Sequence, residues 1–70
     1  MKYVYILKDY TGSRYFSTLE KAKAEGLTVA SYVIEDWTPW NREEDFWTMR
    51  FRGVDDVQHM STIKKHRVID

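Results

Sequence analysis

The chain has 70 residues with 11 lysines and arginines balanced by 11 aspartates and glutamates, and no cysteine. That length makes one domain burying only about 60% of the surface its unfolded form exposes, with no disulfide or thiolate zinc site to supplement the core. A net charge of zero argues against strong sequence-independent nucleic-acid binding, which depends on neutralising several phosphates, though it leaves a local basic face open.

Lys2 to Lys8 (KYVYILK) is rich in β-branched and aromatic residues and apolar on both alternating sets, the pattern of a central strand. Asp9, Tyr10, Thr11 and Gly12 then place Asp first and Gly last in a turn, so Arg14 to Phe16 returns as a short second strand. Ser17 to Gly26 (STLEKAKAEG) reads as one helix. Ser17 and Glu20 form a capping box, and Gly26 ends the helix in a left-handed conformation that lets Leu27 lie against Ala22. Leu19, Ala22 and Leu27 are a narrow apolar stripe, so this helix is stable only against a sheet.

Thr28 to Trp37 (TVASYVIEDW) is the next strand, stopped by Pro39, and Trp37 to Asp45 forms a loop. Phe46 to Arg52 (FWTMRFR) alternates cleanly, with Trp47, Met49 and Phe51 inward. Val54 to Ser61 reads equally as a helical turn or an irregular connection. Thr62 to Ile69 (TIKKHRVI) reads as a last strand at a sheet edge, where lysines deter stray pairing. The expected fold is α+β, a single domain over residues 1–70 in the order β-β-α-β-β-β, with a mainly antiparallel sheet of four to five strands and one packed helix. Strand order does not follow from these signals.

Two segments stand out as candidate contact surfaces. Trp37 to Trp47 (WTPWNREEDFW) combines tryptophans with Glu43, Glu44 and Asp45. Tryptophan gives large contact area at low entropic cost, and acids beside it favour a partner with a basic surface. The structural alternative keeps Trp37 and Trp47 in the core and leaves only Trp40 exposed. A second set is basic: Arg50 and Arg52 on one strand, with Lys64, Lys65, His66 and Arg67 on the last. If those strands are neighbours they form a positive patch, beside which Tyr3 or Tyr5 would stack bases. The alternative there is ordinary solvated charge.

Catalysis and metal binding find little support. Asp55, Asp56 and His59, with His66 as a further ligand, lack the spacing of a metal site, and no serine sits in a nucleophile elbow. No cofactor or metal is expected. Without an apolar run long enough to span a bilayer or a signal-peptide pattern at the N-terminus, the expected location is the cytoplasm.

The succession of strand, DYTG turn, YFSTLEKAKAE helix and YVIEDW strand, from Lys2 to about Trp37, resembles small, mostly uncharacterised accessory proteins of bacteriophages and their hosts. The resemblance implies binding and modulation of a host macromolecule rather than catalysis, and carries over no functional residue. The primary expectation is therefore a non-enzymatic protein-binding module acting through Trp37, Trp40, Glu43, Glu44 and Asp45. The alternative is a nucleic-acid-binding module acting through Arg50, Arg52, Lys64, Lys65 and Arg67. One short helix covers only one face of an apolar sheet, so a homodimer is also expected.

Overall fold

A computed structural model describes residues 2–43 and 45–69. Five strands and one helix follow in the expected order: β1 (Lys2–Asp9), β2 (Gly12–Phe16), α1 (Leu19–Leu27), β3 (Tyr32–Pro39), β4 (Phe46–Arg52) and β5 (Gln58–Val68). The strands form one wholly antiparallel sheet in the order β2-β1-β5-β4-β3. The fold is α+β, and the helix lies on one face of the sheet, against β1, β2 and β5.

The β1–β2 hairpin closes as its residues dictate. Asp9 faces Gly12 across the turn, its carboxylate accepts hydrogen bonds from the Thr11 backbone N–H and hydroxyl, and Gly12 takes a φ of +129° that disfavours any side chain. Arg14 then ties the hairpin to the helix, reaching Asp9 and Glu25, each at 2.6 Å.

The helix starts and ends differently from its sequence reading. Thr18, not Ser17, is the N-cap, and its hydroxyl accepts from the Lys21 N–H at 3.2 Å. Gly26 is buried inside the last turn rather than left-handed beyond it, and Thr28 caps the end. The reason lies across the molecule, where Trp37 packs against Gly26 and donates its indole N–H to the Lys23 carbonyl at 3.2 Å.

The core under the helix is Leu7, Ala22, Trp47 and Ile63, with Tyr5, Phe16, Leu19 and Trp37 packed around it. Trp47, Met49 and Phe51 are buried, as the alternation of β4 requires. At the far end Phe51 lies beneath Tyr10 and His59, whose rings stack with centroids 4.3 Å apart.

Two strands depart from expectation. The segment 28–31 connects helix to sheet, with the Ser31 N–H donating to the Arg52 carbonyl just before β3 begins. Within β3 the register shifts twice, between Val33 and Glu35 and between Glu35 and Thr38, which breaks the simple alternation of its side chains. Pro39 ends β3 from inside it, tolerated because β3 is an edge strand. β5 is the central strand, not an edge, and extends back to Gln58. Lys64 reports its exposed face, whereas Lys65 is half-buried on the opposite one.

Candidate functional site

With Leu7 and Asp9 buried on the helix side, the alternate residues of β1, Lys2, Val4, Ile6 and Lys8, face the opposite side of the sheet. The helix does not cover that side. The strand registers assign the rest of this open face in rows that cross the sheet. One row is Tyr15, Ile6, Lys64 and Phe46. The next is Ser13, Lys8, Thr62, Thr48 and Thr38, one residue from each of the five strands. Beyond it come Met60, Arg50 and Glu35, then Gln58, Arg52 and Tyr32. On the other side of the first row His66 faces Val4, and Val68 faces Lys2.

The face is cationic and only partly apolar. Lys2, Lys8, Lys64, His66, Arg50 and Arg52 are exposed, whereas Val4, Ile6, Phe46, Thr48 and Thr62 are half-buried between them. Arg50 pairs with Glu35 at 3.1 Å and Arg52 with Asp56 at 3.4 Å, exposed contacts of small energetic weight. Lys2, Lys8 and Lys64 make no ion pair among the described residues. Aromatic rings stand at its margins: Tyr15 on β2 is 68% exposed and Tyr32 on β3 is 67% exposed. Trp40, 72% exposed, meets Phe46 edge-on with centroids 6.2 Å apart.

The expected basic set is thus divided. Arg50, Arg52 and Lys64 share the open face, while Lys65 and Arg67 lie opposite Tyr5 and Tyr3 on the helix side, with the Lys65 Nζ 4.3 Å from the Tyr3 ring centroid. Strand alternation makes this unavoidable, since Lys64 and Lys65 are neighbours in one strand. In their place the fold adds Lys2 and Lys8. The signal was present in KYVYILK, where lysines bracket the set of alternate residues opposite Leu7.

The acidic, tryptophan-rich loop is also partly dispersed. Trp37 is a correction to the contact set, because its ring is committed to Gly26 and the core. Trp40 remains at the surface, held by its N–H on the Phe46 carbonyl at 2.7 Å. Glu43 is exposed, Asp45 is half-buried with its carbonyl accepting from the Lys65 N–H at 2.8 Å, and Glu44 lies outside the described residues.

Of Asp55, Asp56, His59 and His66, the fold brings Asp55 and His59 together and places the other two elsewhere. His59 Nε2 lies 3.0 Å from Asp55 Oδ2, and the Val57 N–H donates to Asp55 Oδ1 at 3.1 Å. The Val57 backbone bond, and then His59, hold the Asp55 carboxyl below the usual carboxylate range. Asp56 turns instead to Arg52, and His66 sits on the open face. Among the described residues no three histidine or carboxylate side chains gather as a metal site would require. A shallow cleft of about 330 Å³ lies where β1 stops and β5 continues, lined by Lys8, Asp9, Tyr10, His59, Met60 and Thr62.

Among the described residues no helix is long and apolar enough to cross a membrane. No known protein family, curated protein or solved structure matches the chain.

Proposed function

We propose that this protein is a non-enzymatic, cytoplasmic nucleic-acid-binding module that works through the open face of its sheet. The observation that carries this reading is the segregation of charge in a neutral chain. Lys2, Lys8 and Lys64 stand on the uncovered face without acidic partners among the described residues, with Arg50 and Arg52 beside them. A polyanion is the ligand that complements such a surface, and half-buried Val4, Ile6 and Phe46 supply apolar contact between the charges.

Binding of a labelled oligonucleotide at 50 and 200 mM salt tests it. If the three lysines each neutralise one phosphate, affinity falls roughly 20-fold across that range for a single strand and roughly 40-fold for a duplex. Lys2, Lys8 and Lys64 replaced together by serine should flatten the dependence. No binding to any nucleic acid at low salt would remove the reading.

A second reading is favoured by the exposure of Trp40 beside Glu43: a protein-binding module whose partner presents a basic surface. The resemblance of the first half to phage accessory proteins would make either ligand a host macromolecule. Capture experiments with Trp40→Ala and Glu43→Lys separate this case, since a partner set that survives both changes does not use the loop.

A further inference from the structure

We propose that the ligand of the open face is single-stranded nucleic acid running across the strands, with bases on the Tyr15–Ile6–Lys64–Phe46 row and phosphates on the Ser13–Lys8–Thr62–Thr48 row. This rests on the nucleic-acid reading and adds to it the strandedness, the direction and the role of each row. The two rows are adjacent, two residues apart along every strand they cross, or about 7 Å. A nucleotide's base and phosphate stand on opposite sides of its sugar, so one strand laid across the sheet presents one group to each row.

The chemistry of each row suits its assignment. In the first, the exposed Tyr15 ring stands at one end and the Phe46–Trp40 edge-on pair at the other, the span between β2 and β4 being about 14 Å. That length takes roughly three nucleotides, with terminal bases on the rings and Ile6 beneath the middle, while the long side chain of Lys64 beside Ile6 serves the phosphates of the next row, about 7 Å away. In the second row the Ser13, Thr62 and Thr48 hydroxyls are donors suited to phosphate oxygens, and Lys8 adds the charge. Thr38 is excluded, because its hydroxyl already donates to the Asp36 carbonyl at 2.9 Å.

A duplex does not fit this arrangement. Its base faces are stacked on one another and out of reach of Tyr15 and Trp40, and its major groove is read by a helix or a two-stranded ribbon rather than by a broad sheet face.

The test compares a labelled single-stranded octamer with a hairpin duplex of the same composition, at 50 mM salt, by fluorescence anisotropy. The single strand should bind at least 10-fold tighter and quench the Trp40 emission. Tyr15→Ala and Trp40→Ala should each weaken it roughly 5- to 150-fold without changing the salt slope, and Tyr15→Phe should retain most of the affinity. Lys8→Ser should instead lower that slope by about 0.7. Thermal melts of each variant confirm folding, and all three positions are exposed. Equal binding of duplex and single strand, with the aromatic variants unaffected, would overturn the inference and leave the nucleic-acid reading standing. Absence of binding to either form would overturn both.

Discussion

A Cβ placed on Gly26 would stand 2.6 Å from Trp37 Cζ2 and 3.2 Å from Leu7 Cδ1, so this glycine is the seat of an indole rather than the end of a helix. Two effects oppose each other in Gly26→Ala. Alanine favours the helical backbone by about 1 kcal/mol, while overpacking against a rigid ring costs about 1–3 kcal/mol. The net expectation is a loss of about 1 kcal/mol in urea denaturation. A variant more stable than the parent would show that Trp37 moves aside freely, and would weaken its place in the core.

The Gly26–Trp37 contact also marks where reading the sequence reaches its limit. Elements that depend on local pattern were readable: the alternation of Phe46 to Arg52, the Asp9–Gly12 turn and the presence of one helix after β2 all follow from near neighbours. A glycine after a helical run usually ends it, and nothing within the helix announces a tryptophan 11 positions beyond Gly26. Ser17 and Thr18 are both competent caps, and only the three-dimensional entry of the chain selects Thr18. Lys64 and Lys65 mark β5 as solvated, a pattern that points to a sheet edge. They face opposite sides of a central strand, one of them lying over Tyr3. The open face was therefore half visible. Arg50, Arg52 and Lys64 stand out in the sequence, while Lys2, Lys8 and Tyr15 join them only through the pairing of β1 with β5 and β2.

Asp9 should make stability depend on acid. Burial by itself pushes its carboxyl up, but hydrogen bonds from the Thr11 hydroxyl and N–H, with the Arg14 guanidinium, outweigh it and hold the group below the usual carboxylate range. A depressed folded value means that the contribution is present above the unfolded value of about 3.9 and is lost as pH falls through the folded one. Asp9→Asn should cost about 1–3 kcal/mol at neutral pH and remove that part of the acid dependence. Denaturation of both proteins at pH 7 and pH 2.5 checks it, the gap between them being expected to shrink at the lower pH. A gap of constant size would mean that Asp9 does not titrate differently on folding.

Ser61 presents the reverse case. It is fully buried on β5 opposite Met49, and its hydroxyl has no hydrogen-bond partner among the described residues. A desolvated hydroxyl without a partner costs about 1–3 kcal/mol, and alanine removes it with little change in volume. Ser61→Ala is expected to raise stability by about 1 kcal/mol, seen as a higher urea midpoint at unchanged slope. A clear loss of stability would indicate that the hydroxyl is satisfied in solution, by an internal water for example.

The last prediction concerns self-association. The apolar strands, with one short helix to cover them, lead the sequence to predict a dimer across a contiguous uncovered face. In the folded chain Leu7, Trp47, Met49, Phe51 and Ile63 are all buried, and the open face retains half-buried Val4 and Ile6 among exposed Lys2, Lys8 and Lys64. Two such faces brought together would set lysines against lysines, each close pair opposing association by about 1 kcal/mol in water and more once desolvated. A stable interface also needs about 800 Å² from each partner, and the apolar part of this face is broken by a polar or charged side chain at every row. Light scattering at micromolar concentration and low salt should therefore give the monomer mass. A dimer that persists on dilution at low salt would sink this expectation and direct attention to the edges of the sheet, β2 and β3, where backbone pairing with a second chain needs no apolar face.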